Sequence, residues 1–144
     1  AGNQNIYVDR FLPNTPLRVV VDHTGDEVTD LYPVETFDKY LKPGQIDDLI
    51  ENESLMDTIL PNMISTAKEI VDVLGGIEIS NGLQRMNQTL DHEIERLISL
   101  YKKNNHIRKE EIQIALKEKS NLSSLISNAR IRLDSLQLIR KDVL

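Results

Sequence analysis

The chain has 144 residues, of which 40% are hydrophobic and 28% charged, with a net charge of -6 and no cysteine. A chain of this length can remove roughly 68–70% of its unfolded surface from water, so one domain spanning residues 1–144 is expected. The charge disfavours general phosphate binding, the missing cysteines exclude disulfides and thiolate catalysis, and 4% aromatics with no tryptophan argue against a base-stacking surface. With a mean hydropathy of -0.33 and no apolar run near 18 residues, a membrane span is not expected, and a polar start without an apolar core argues against a signal peptide. These features suit a reducing cytoplasm.

The amino end, residues 6–30, reads as a β-hairpin region. Leu17 to Val21 is β-branched and apolar apart from Arg18, and Glu27-Val28-Thr29 resumes the alternation after a turn. Strands at about 17–22 and 26–30 are expected, with Gly25 supplying positive φ. Two strands alone are marginal in water, so a third from Ile6 to Arg10, or a covering helix, is needed.

Residues 34–74 read as short helices. Pro33 starts one that carries Val34, Phe37, Tyr40 and Leu41 and stops at Pro43-Gly44. Ile46, Leu49 and Ile50 form another turn or two, and Asn52 to Ser54 offers a cap before Leu55. Pro61 either kinks the next helix or opens a new one, whose stripe runs through Met63, Ile64, Ala67, Ile70, Val71 and Leu74. Gly75, Gly76 and Gly82 then favour a break, because each costs about 1 kcal/mol inside a helix. One continuous helix over about 61–102 is the alternative.

Residues 83–139 carry the firmest pattern. Leu83, Met86, Leu90, Ile94, Leu97 and Tyr101 form one stripe, and Ile112, Ala115, Lys119, Leu122, Ile126, Ala129, Leu133 and Leu136 form a heptad seam. The link from Lys102 to Ile107 allows only an antiparallel return, so a helical hairpin with a crossing near 20° is predicted. Lys119 within the seam reads as a register-fixing residue with a packed stem and an outward head. Leu116, Leu125, Ile131, Leu138 and Ile139 lie beyond the seam and call for cover from the amino-terminal sheet and its helices. The predicted fold class is therefore α+β: a small, mainly antiparallel sheet flanked by about four helices, the two longest forming the coiled-coil-like hairpin.

Catalytic and ligand motifs are sparse. No phosphate-binding glycine loop or nucleophile elbow occurs, and His23, His92 and His106 lack partners at metal-ligand spacing. Asp91-His92-Glu93 fan around a helix and cannot converge. Asp22 with Asp26 reads as turn chemistry, and Asp47-Asp48 and Glu110-Glu111 as solvated faces or helix-dipole partners. No catalytic, cofactor or metal residue is assigned. Lys102, Lys103, His106, Arg108 and Lys109 cluster at the hairpin turn; they suit helix capping and solubility, or contact with an acidic partner or phosphate backbone. With Ile131 and Leu138 they make the candidate interaction surface. A monomer is expected, with a homodimer through Ile112 to Leu136 as the competing adaptor reading.

Two blocks carry a family resemblance. Phe11-Leu12-Pro13-Asn14-Thr15-Pro16-Leu17-Arg18-Val19-Val20-Val21-Asp22 resembles a [YF]-L-P-x-T-P-[IVL]-R-V-x-x-D segment. Asn105 to Ile112, and Ala129-Arg130-Ile131-Arg132-Leu133-Asp134-Ser135-Leu136-Gln137-Leu138-Ile139, resemble the closing part of the same family, the bacterial RNA polymerase-associated RapA proteins. The resemblance implies the carboxy-terminal domain of a SWI/SNF-class ATPase that binds RNA polymerase and promotes its recycling. It implies partners in RNA polymerase or the ATPase lobes, with ATP, magnesium and DNA contact belonging to those lobes. It also implies a mainly antiparallel sheet flanked by about four helices, but uninterrupted helix where Leu74 to Gly82 suggests a break.

Overall fold

A computed structural model describes residues 8–104 and 108–141. The chain is mainly helical, and its spine is one 44-residue helix. In chain order, α1 spans Val34–Tyr40, α2 Asp47–Ile50, α3 Leu60–Lys103 and α4 Lys109–Ser127. At about 1.5 Å per residue, α3 is about 66 Å long.

Helix α3 has a continuous lead-in. Asn52 Oδ1 accepts from the Leu55 amide at 3.0 Å, as a helix-capping side chain does. A wide π-turn, Leu55–Ile59, follows and closes with the Leu60 amide donating to Leu55 O. In a regular α-helix the Pro61 ring would meet the carbonyl four residues back; a wide turn just before it gives the ring room.

The helix does not break at its glycines. Gly75 and Gly82 are buried, seven residues apart on the face that also carries Ile79 and Met86. Each is a notch for another segment. A β-carbon on Gly82 would stand 3.0 Å from Phe11 O and 3.2 Å from Leu12 Cδ1, and one on Gly75 would stand 2.7 Å from Ile131 Cγ1. Close packing of chain ends against the notches overrides the local helix cost, so the expected break is replaced by the continuous alternative. Residues 60–74, expected among the short helices, are the first third of the same helix.

The helical hairpin forms as an antiparallel pair. Met86, Leu122 and Ile126 are at most 2% exposed and share one core with Phe11; Val8, Leu12, Ile79, Leu83 and Leu90 pack on it. Lys119 Nζ meets Asp91 Oδ1 at 2.5 Å on the partner helix, which sets the register across the seam. The second arm is shorter than its pattern suggests, ending at Ser127 rather than Ile139. Its closing turns hold Ser120, Asn121, Ser123, Ser124 and Ser127, whose side chains compete with helical hydrogen bonds, and Nδ2 of Asn128, the residue after the helix, reaches Ser124 Oγ. The register placing Lys119 at Asp91 puts Ser127 near Leu83, about 12 Å from Gly75. Four helical residues would advance only about 6 Å, whereas four extended ones cover about 13 Å. Ile131 therefore reaches its notch only if the chain leaves the helix, and residues 129–141 are extended. Leu133 and Leu136, expected in the seam, are 75% and 63% exposed.

The expected sheet is absent among the described residues, so the α+β class is corrected to a helical one. At the amino end a single antiparallel bridge joins Val21 and Glu27, and the Val28 amide donates to Val20 O at 2.8 Å. Gly25 does take positive φ, +89°, in the turn. The second arm then curls into a 3-10 turn, Thr29–Leu31, instead of continuing as a strand. Ile6 and Tyr7, in the segment proposed as a third strand, lie outside the described residues. The rest of that segment is helical: the Leu12 amide donates to Val8 O, and Arg85 donates from Nη2 to Phe11 O at 2.7 Å. This clamp and Phe11 burial draw the segment onto α3, leaving a two-armed ribbon too small to propagate.

Three glycine substitutions separate packing from propensity. Gly76 has nothing within 4 Å of a new β-carbon, so Gly76→Ala is expected to stabilise by about 0.5–1 kcal/mol in thermal melts followed by circular dichroism. Gly82→Ala is expected to lower the melting temperature despite the same propensity gain, because the opposing group is backbone; Gly75→Ala should fall between, since an Ile131 side chain can turn aside.

Candidate interaction surface

No sequestered polar centre exists among the described residues. None buries a polar or charged side chain, no buried side-chain nitrogen or oxygen lacks a partner, and no three His, Cys, Asp or Glu residues gather as metal ligands. No described helix is long and apolar enough to cross a membrane. An open hollow of about 470 Å³ lies over Arg10, Gln88, Thr89, Leu90, His92 and Glu93. Glu93 in that hollow is engaged by Arg96 at 2.6 Å, which holds its carboxyl below the ordinary value of 4.5, while Asp91 faces Lys119. Asp91 and Glu93 therefore engage different partners, and His92 and Glu93 both line the hollow.

Asp22 and Asp26 form a turn rather than a reactive pair. Asp22 Oδ1 accepts from the Thr24 amide at 3.0 Å, the Thr24 hydroxyl at 2.6 Å and the Asp26 amide at 3.0 Å. The Thr24 hydroxyl, first among these donors, holds the Asp22 carboxyl below its ordinary 3.8.

The basic residues gather at one end of the hairpin. Lys102 and Lys103 occupy the last turn of α3, Arg108 is the residue before α4, and Lys109 is its first; all four are exposed. Each lysine pair member at the end of α3 faces the negative end of that helix, and Glu110 and Glu111 face the positive end of α4. His106, expected in this group, lies outside the described residues. Ile131 and Leu138 do not join it. Ile131 sits on Gly75, about 42 Å along α3 from Lys103, and Leu138 lies still further along the extended run. The six described residues of the expected surface thus do not form one place.

A larger surface escapes the residue-by-residue reading. The chain exposes 11,621 Å², whereas a compact protein of 16.5 kDa exposes about 7,500 Å². Among the described residues, only Phe11, Met86, Ile94, Leu122 and Ile126 are buried hydrophobics. Val73, Ile77, Ile114, Leu116, Leu133 and Leu136 are each at least half exposed. Leu116, Leu125, Leu138 and Ile139, expected to be covered by a sheet, remain 37–50% exposed. Period counting assigns these positions to helix faces but cannot show that no element returns to cover them.

The far end of the extended run is tied down by aromatic contacts. Tyr32 and Phe37 stack with centroids 5.7 Å apart, Arg18 lies 5.0 Å over Phe37 and donates to Tyr32 O, and Lys141 lies 5.7 Å over Tyr32 and reaches its hydroxyl at 3.2 Å.

A family model described as "RNA polymerase recycling family C-terminal" matches residues 1–140. This chain belongs to that family. Within it, the chain is 30% identical over 139 residues to the RNA polymerase-associated protein RapA of Vibrio vulnificus (strain CMCP6), covering 92% of this chain and 14% of that protein. It is 29% identical to the RapA protein of Vibrio cholerae serotype O1 (strain M66-2), with the same coverage, and 28% identical to that of Haemophilus influenzae (strain PittEE), covering 94% of this chain and 15% of the relative. The chain thus spans about one seventh of the length of these curated relatives, matching their C-terminal region. No solved structure matches it.

The Asp22 turn gives a pH expectation with a fixed sign. A carboxyl lowered in the folded chain contributes order above its unfolded value and loses it as pH falls through the folded value. The Thr24 and Asp26 amide resonances should move together as pH falls, with a midpoint below the ordinary 3.8. In Asp22→Asn that transition should disappear.

Proposed function

We propose that this chain is the non-catalytic carboxy-terminal interaction part of a longer, ATP-dependent transcription regulator of the SWI/SNF class that binds RNA polymerase and stimulates its recycling. The observation that carries this reading is the mismatch between exposed area and core, in a chain matching only a seventh of its relatives. A surface about 4,000 Å² larger than a compact chain requires is of the size that stable protein contacts cover. Its contribution is packing: the apolar flanks of the two long helices and the extended run meet RNA polymerase or the preceding lobes of the longer protein. ATP, magnesium and DNA contact belong to those lobes, and the whole works in the bacterial cytoplasm.

The competing adaptor, a homodimer through Ile112 to Leu136, is less well supported. Leu122 and Ile126 are already buried within the chain, so pairing copies through the seam would first have to open the hairpin. Direct nucleic-acid binding by the basic tip is opposed by the net charge of -6.

Binding assays with the 144-residue chain test the proposal. It should retain core RNA polymerase or the preceding lobes of the longer protein, and retention of neither would overturn the contact role. Reversing Lys102, Lys103 and Arg108 to glutamate should weaken whichever contact uses the tip by about 1–3 kcal/mol, with less effect at high salt. Tight, steeply salt-dependent DNA binding by the unmodified chain would instead favour the nucleic-acid reading.

A further inference from the structure

Among the described residues, the run from Arg130 to Ile139 is the longest without a backbone amide donating to a backbone carbonyl. The last described amide before it, Ala129, donates to Ile126 O at 3.1 Å; among the described residues, none of the amides from Arg130 to Ile139 donates to a backbone carbonyl. The run is anchored near its two ends, by Ile131 at Gly75 and by Lys141 at Tyr32, so it is held extended between fixed points. Ten such residues present about 33 Å of open edge. Water can satisfy the backbone groups but leaves Leu133 and Leu136 uncovered at 75% and 63%. A partner helix can cover leucines but offers no backbone groups in register. An added strand satisfies both requirements at once.

Charge narrows the occupant further. Between residues 130 and 141 the chain carries Arg130, Arg132, Arg140 and Lys141 against the single Asp134, within a protein of net charge -6. A complementary strand is therefore apolar with acidic residues on its flanks. Its source is the remainder of the longer protein: a tethered segment has a high effective concentration, and the curated relatives carry about six times as much chain outside the matched region as within it.

We infer that Arg130–Ile139 is an open strand edge, which pairs with an extended, acid-flanked segment of the preceding lobes of the longer protein. This rests on the reading that the chain is part of such a protein, and it specifies how the attachment is made. It also accounts for the short second helix: ending at Ser127 frees the seam residues Leu133 and Leu136 for strand pairing.

Hydrogen exchange on the full-length protein and on the 144-residue chain tests it. Amides of residues 132–139 should exchange at least roughly a hundredfold more slowly in the full-length protein than in the 144-residue chain. Leu136→Pro, which removes one amide at an exposed position, should abolish that protection in the full-length protein while leaving the melting of the 144-residue chain within about 2 °C of the parent. Leu136→Ala, which keeps the amide, should retain the protection. Three results would overturn the inference: equal protection in both proteins, which places the partner strand inside this chain; no protection in either; or protection that survives Leu136→Pro. In any of these cases, continued binding of the 144-residue chain to the preceding lobes would leave the wider functional reading in place, whereas loss of binding would remove that reading separately.

Discussion

The contact of Phe11, Leu122 and Ile126 with Met86 on α3 is the interaction on which the other contacts depend. It joins three distant parts of the chain at one place on a rigid rod. Each fully buried side chain of this size contributes about 1.5–3 kcal/mol by leaving water, and among the described residues Ile94 is the one other buried hydrophobic. From that point the register propagates in both directions along α3. Toward its carboxyl end, Lys119 meets Asp91; toward its amino end, Phe11 O rests on Gly82 and Ile131 on Gly75. The glycines work as part of the same seam, because a rod that must receive main chain on one face needs positions without side chains there.

This arrangement explains why the hairpin was legible in the sequence and its surroundings were not. Antiparallel packing of residues 83–103 against 109–127 follows from two stripes and a short link, both local properties. The continuity of α3 through Gly75, Gly76 and Gly82 depends on what packs against the glycines, and Ile131 lies 56 positions from Gly75 in sequence. The same contact cut the second helix short. The heptad spacing of Ala129, Leu133 and Leu136 states that these residues are apolar at helical intervals, but the distance from the seam to the Gly75 notch is met only by extended chain. The amino-terminal ribbon failed to become a sheet for a related reason: Phe11 and Leu12 are drawn to α3, and the alternation in Leu17 to Val21 had no described strand to pair with beyond one bridge. The Asp22 turn and the cap by Asn52, both set within a few residues, appear as local chemistry dictates.

The candidate surface divides along the same line. The basic tip was visible because Lys102, Lys103, Arg108 and Lys109 are neighbours in sequence. That Ile131 lies about 40 Å away, and that Leu116, Leu125, Leu138 and Ile139 stay 37–50% exposed, depends on topology alone. Among the described residues, large apolar side chains stay exposed and no polar or charged side chain is buried. The curated relatives of the family are about seven times longer than this chain.

The continuous spine is the claim that supports everything else, because both terminal segments are positioned by it. The chain has no cysteine, so Ser65→Cys with Ser99→Cys, both exposed on α3, gives a uniquely labelled pair for electron-electron distance measurement. An unbroken helix places the two positions about 51 Å apart with a narrow distribution. A broad distribution, or a separation below about 40 Å, would mean that α3 bends at its glycines, and the account of both terminal segments would be wrong.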